Sequence, residues 1–98
     1  MVHSGSLLIL PSGIHGWRPA SLADITGEDV QPILKEKTGF VFLVMGTGRS
    51  VGLLPRPLMQ LFRDASMPVE VMDTGAAVRT YNILLAEDRP PAAALIAV

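Results

Sequence analysis

The sequence has no cysteine, which removes disulfide frameworks, thiolate zinc sites, iron–sulfur clusters and cysteine nucleophiles together. Charge is scarce as well. Only 17% of residues are charged, and eight basic against nine acidic residues leave a net charge of -1. Binders of phosphate backbones or anionic membrane surfaces carry a basic excess, so nucleic acid is not an expected partner. Long apolar runs are missing too: Leu7 to Pro11 and Phe40 to Met45 fall far short of the roughly 18 to 20 residues that span a bilayer, and no membrane insertion is expected. Met1 to Ser6 carries no Lys or Arg, so the start lacks the cationic region of a secretory signal and a cytoplasmic location is expected.

What is present is a chain of 98 residues that is 49% apolar, enough for one hydrophobic core and too little for two. Ser6 to Leu10 reads as a buried strand stopped by the turn residues Pro11, Ser12 and Gly13. His15-Gly16-Trp17 then reads as a loop, with Trp17 a packing anchor and His15 solvated. Thr26 and Asp29 have the spacing of a capping box, and Val30, Ile33 and Leu34 repeat at helical spacing, predicting a helix over about 27 to 37 with Pro32 as a blemish. Phe40 to Met45 is a continuous apolar run closed by Gly46-Thr47-Gly48, the pattern of a central strand buried on both faces.

Pro55 and Pro57 open a helix carrying Leu58, Leu61, Phe62 and Ala65, which ends before Pro68. Val69 to Met72 reads as a strand, and Ala76 to Glu87 as a helix with Ala77, Tyr81 and Leu84 on one face. After Pro90-Pro91, Ala92 to Val98 suits a last buried strand. The order β-α-β-α-β-α-β is that of an α/β domain, and unalternating strands belong to parallel or mixed sheets covered on both sides.

Two motifs bear on chemistry. Asp73-Thr74-Gly75 has the residues of a homodimeric aspartic protease, but that site needs two aspartates on loops of an all-β scaffold, whereas the residues after Gly75 have helical periodicity. The alternative is a strand end at Asp73, with Thr74 capping the next helix. Gly46-Thr47-Gly48 offers either an anion-binding concavity of backbone amides or a tight exit from a buried strand. If the flanking strands run parallel, ligands bind outside their carboxyl ends. A small anionic ligand would then meet Gly46, Thr47, Gly48, Arg49, Thr74, Arg79 and Asn82. The bland expectation is that Arg79 pairs with a carboxylate while Tyr81 packs its ring in the core. No set of residues is spaced for metal ligation, no catalytic constellation is legible, and no cofactor is implied.

Gly5 to Pro11, Trp17, Leu43 to Gly48, Val69 to Leu84, and Glu87, Arg89 and Ala93 to Ile96 together resemble the Mth-type family of domains of unknown function. The resemblance covers essentially the whole chain, 1–98, as a single domain. It implies a compact three-layer α/β fold with a mixed, mostly parallel β-sheet and flanking helices. It implies no established enzymatic activity. Because the family includes respiratory complex I assembly factors, a protein-interaction or assembly role with protein partners is expected, with homo-oligomerisation as a further expectation. The alternative is a small-ligand binder or enzyme with a pocket at the carboxyl edge of the sheet. Relatives often carry Cys where Val78 stands, so no thiol role transfers. They also begin earlier than Gly5, with an extra strand or hairpin, and a domain lacking that segment is expected to leave apolar surface uncovered.

Overall fold

Glycines and prolines cut the apolar runs into short elements. The computed structural model describes residues 5–87 and 91–98; His3, Asp88, Arg89 and Pro90 lie outside them. Five strands, β1 (Ser6–Leu10), β2 (Gly13–Trp17), β3 (Leu43–Gly46), β4 (Val69–Met72) and β5 (Ala92–Leu95), accompany three helices, α1 (Gly27–Lys35), α2 (Arg56–Asp64) and α3 (Thr74–Leu85). The strands form one mixed sheet in the order β2-β1-β5-β3-β4. β3 runs parallel to β4 and β5, and β1 runs antiparallel to β2 and β5.

The two faces of the sheet are covered unequally. On one, Leu8, Leu10, Leu43, Met45 and Ala94 pack against Val30 and Ile33 of α1 and Leu58 and Phe62 of α2. On the other, Val44, Ala93 and Leu95 meet Ala77 and Tyr81 of α3, with Ile9 at the margin. This is the expected three-layer α/β arrangement. Fully enclosed side chains such as Ile33, Leu43 and Met45 contribute about 1.5 to 3 kcal/mol each relative to exposure.

The boundaries depart from the sequence pattern for identifiable reasons. β2 occupies the segment expected to be a loop: Pro11 and Ser12 form a two-residue turn, Gly13 adopts φ +134, and Leu10 pairs with Gly13. Two glycines in five residues had masked its alternation. β3 starts at Leu43 rather than Phe40: Pro68, whose carbonyl accepts the Leu43 N–H, turns its backbone toward β3 and has no N–H to extend the ladder. α1 stops at Lys35, and its capping box is present, with Thr26 accepting from the Asp29 N–H and Asp29 accepting from the Thr26 N–H. α3 begins at Thr74 and is capped by Asp73, whose carboxylate accepts the Ala76 N–H at 2.9 Å, so Thr74 is not the cap. That carboxylate is thereby a helix cap and not half of an aspartic dyad.

Trp17 is the expected anchor. Its ring is buried in the core and its indole N–H donates to the Asp29 carbonyl at 3.0 Å, tying β2 to α1. Ser6 joins the chain's two ends, donating to the Pro19 carbonyl and accepting the Ala97 N–H.

Candidate functional site

Because β3, β4 and β5 are parallel, their carboxyl ends share one edge of the sheet. The chain leaves β3 there through Gly46, Thr47 and Gly48 and enters α3 at Thr74. A Cβ on Gly46 would fall 2.9 Å from Thr74 Cα and 3.2 Å from Ala77 Cβ, so only glycine lets α3 seat this closely on the strand. Gly48 has φ +102, a region L side chains rarely enter.

Thr74 is the centre of this edge. Its buried hydroxyl accepts the Gly48 N–H at 2.8 Å and donates to the Ile96 carbonyl at 2.7 Å. The Thr47 hydroxyl donates to the Ser50 carbonyl at 2.7 Å and accepts the Gly52 N–H at 3.1 Å, closing the following loop on itself. The structure thus brings Gly46, Thr47, Gly48 and Thr74 together, with both hydroxyls satisfied within the chain. Arg49 is exposed in the loop, and Arg79 folds back so that Nη1 lies 3.6 Å from the position of a Cβ on Gly75. Arg79 makes no ion pair among the described residues, contrary to the expected carboxylate partner.

Asn82 lies elsewhere, beside a groove between α3 and the β1–β2 hairpin. α3 packs chiefly on β3 and β5, leaving the hairpin's side of that face open. Ile9, Ile14, Val78, Tyr81, Leu85 and Leu95 line a cavity of about 440 Å³ there. Ile14 is 69% exposed, Leu85 52% and Val78 40%.

The family described as "Protein of unknown function (DUF498/DUF598)" matches residues 1–96. The chain belongs to the DUF498/DUF598 family. It is 35% identical over 92 residues to a Xenopus tropicalis protein named NADH dehydrogenase [ubiquinone] 1 alpha subcomplex assembly factor 3, covering 94% of this chain and 50% of that one. The chain thus spans about half the length of the curated relatives it first matches. Among solved structures, a Bartonella henselae protein described as an outer membrane protein is 43% identical, with a TM-score of 0.90 over 100% of this chain and 82% of its own. A Bordetella pertussis protein described as a Mth938-like domain is 28% identical, with a TM-score of 0.77 over 95% of this chain and 73% of its own. The Mth-type resemblance holds, and it carries complex I assembly factors among the relatives. Among the described residues, no helix is long and apolar enough to cross a membrane.

Sequence reasoning overlooked three parts of this DUF498/DUF598 chain. The first is the groove at Ile14, which becomes visible only when Pro11-Ser12 is read as a hairpin turn. The second is an exposed cluster at that turn: the Ser12 hydroxyl donates to Glu36 Oε2 at 2.7 Å and lies 2.8 Å from His15 Nε2, while the Ser12 N–H donates to Glu36 Oε1 at 2.9 Å. Here the carboxylate holds the serine, not the histidine, so the three are not ordered as nucleophile, base and orienting acid. They fasten the turn to the end of α1.

The third is the Arg18 cluster. Its guanidinium bridges Asp24 at 3.3 Å and Asp29 at 2.6 Å. Arg18 holds the Asp29 carboxyl down at about 2, with hydrogen bonds from Thr26 adding to the effect. Asp24 is lowered first by the Ala20 N–H and then by Arg18. These bonds lock α1 against the end of β2.

Proposed function

We propose that this DUF498/DUF598 chain is a cytoplasmic, non-catalytic protein-interaction module that serves the assembly of a multisubunit complex. The observation that carries the reading is the half-covered sheet face, where Ile14, Val78 and Leu85 stand exposed around an apolar groove. Burying a large aliphatic side chain is worth about 1.5 to 3 kcal/mol, so a partner that covers all three gains substantial affinity from this surface. The names of the relatives support a partner among subunits or assembly intermediates of NADH dehydrogenase. The role needs no cofactor and no nucleic acid.

Affinity capture from cells that carry the native chain tests the reading. Subunits of a respiratory complex recovered with the wild-type chain, and lost with Ile14→Glu or Leu85→Glu, support it. Retention by both variants overturns the assignment of the groove.

A second reading rests on Arg49 and Arg79, exposed cations without an ion-pair partner among the described residues. In it, a small anionic ligand sits at the carboxyl edge beside Gly46, Thr47, Gly48 and Thr74, without Asn82. Phosphate or carboxylate titration that moves the amide resonances of Gly48 and Arg79 favours this reading, and unmoved resonances dismiss it.

A further inference from the structure

β4 ends the sheet on the side opposite the hairpin, and β3 is its sole strand partner among the described residues. The Leu43 N–H donates to the Pro68 carbonyl at 3.0 Å, and the Thr47 N–H donates to the Met72 carbonyl at 2.9 Å. The even-numbered residues of β4 therefore turn their backbone groups toward β3. Alternation along a strand turns those of Val69 and Val71 outward, where they form an open edge.

The side chains beside this edge form a groove. Leu54, Met59, Phe62, Met67, Val69 and Val71 line a cavity of about 430 Å³, and Leu53 at its rim is 93% exposed. The one charged residue in that lining is Arg63, and a second concavity, lined by Arg56, Met59, Gln60 and Arg63, shares Met59 and Arg63 with it along α2. Neither arginine makes an ion pair among the described residues. The adjacent Asp64 carboxylate instead accepts from Gln60 Nε2 at 2.7 Å.

We propose that this edge binds an extended segment of a partner protein, which adds to β4 as a further strand, places apolar side chains in the groove and sets acidic residues against Arg56 and Arg63. The open N–H and C=O groups of Val69 and Val71 supply the main-chain bonds of strand addition, and the groove supplies side-chain selection. A second copy of this chain fits less well, because two-fold pairing of β4 sets apolar, arginine-bearing linings against each other with no acid in either. A lipid surface fits less well still, since hydrocarbon cannot satisfy an open strand edge. The surface is separate from the groove beside α3, so its test stands apart from the test of the proposed function.

Three short peptides test it on the intact chain: one with threonine at every second position and, on the opposite face, two valines followed by two glutamates, the same with lysine for glutamate, and the glutamate peptide N-methylated at alternate nitrogens. The glutamate peptide is expected to slow amide hydrogen exchange at Val69 and Val71 and, at low salt, to bind about tenfold more tightly than the lysine peptide. N-methylation on the β4-facing nitrogens is expected to abolish binding. The double variant Arg56→Glu, Arg63→Glu, which changes only exposed positions, is expected to reverse the charge preference. Equal binding of both charged peptides, or no added protection at Val69 and Val71, overturns the proposal. So does concentration-dependent self-association through β4, or binding to anionic phospholipid vesicles that the glutamate peptide does not displace.

Discussion

Thr74 and Gly48 are bonded to each other twice. The Thr74 N–H donates to the Gly48 carbonyl at 2.8 Å, and the Thr74 hydroxyl accepts the Gly48 N–H at 2.8 Å. The same hydroxyl donates to the Ile96 carbonyl, so one side chain fastens the ends of β3 and β5 to the start of α3. Thr74→Val keeps the shape but removes both partners, leaving a buried N–H and a buried carbonyl unsatisfied. At about 1 to 3 kcal/mol for each stranded group, the loss should reach about 2 to 6 kcal/mol in urea unfolding. Thr74→Ser keeps both bonds and should lose about 1 kcal/mol at most, the worth of one methyl. A Thr74→Val variant that is at least as stable as Thr74→Ser would show that the methyl, not the hydroxyl, matters.

Gly46→Ala tests the close approach beneath that knot. The added Cβ would meet Thr74 Cα at 2.9 Å, and backbone cannot swing aside as a side-chain end can. Forcing α3 off β3 should cost about 1 to 3 kcal/mol, read as a fall in Tm of roughly 4 to 8 °C per kcal/mol for a domain of this size. An unchanged Tm would mean that α3 shifts without penalty.

These two positions also show how much was legible in the sequence. The layer architecture was, because continuous runs such as Leu43-Val44-Met45 and Ala92-Ala93-Ala94 can be buried on both faces only between helices. The capping box at Thr26 and Asp29 was also legible, since it needs only local spacing. The meeting of Gly46, Gly48 and Thr74 followed from parallel strands ending on one edge. Their use was not legible, because whether a hydroxyl faces a ligand or the Ile96 carbonyl is decided by a residue 22 positions away. β2 was obscured for a different reason: Gly13 and Gly16 carry no side chain to show alternation. Arg18 has neither Asp24 nor Asp29 as a near neighbour along the chain, and only the fold brings them to it.

Acid should loosen the junction that Arg18 holds. Asp29 has its carboxyl depressed to about 2 in the folded chain, against an ordinary value of about 3.9 once unfolded. A depressed folded pKa gives stability that is full above the unfolded value and lost as pH falls through the folded one. Stability should therefore decline between about pH 4 and pH 2, with exposure of Arg18 and screening by salt keeping the size modest. Replacing the guanidinium, Arg18→Met, should move the Asp29 midpoint in NMR titration toward the ordinary range and flatten that decline. An Asp29 midpoint that stays near 2 in the variant would assign the depression to Thr26 instead.

The groove variants should leave folding intact, because the positions are already solvent-exposed. Ile14→Glu and Leu85→Glu should unfold within about 0.5 kcal/mol of the wild type and raise solubility by breaking an apolar patch. A loss well beyond that would show that these side chains support the domain itself.

The most direct test of the account is quantitative affinity capture by the wild-type chain, Ile14→Glu and Leu85→Glu side by side, from cells that carry the native protein. The account predicts that the wild type retains subunits of a respiratory complex or its assembly intermediates and that both variants lose them while remaining folded. Retention of the same partners by folded variants would contradict it, as would a wild-type chain that retains none while phosphate or a carboxylate ligand raises its Tm.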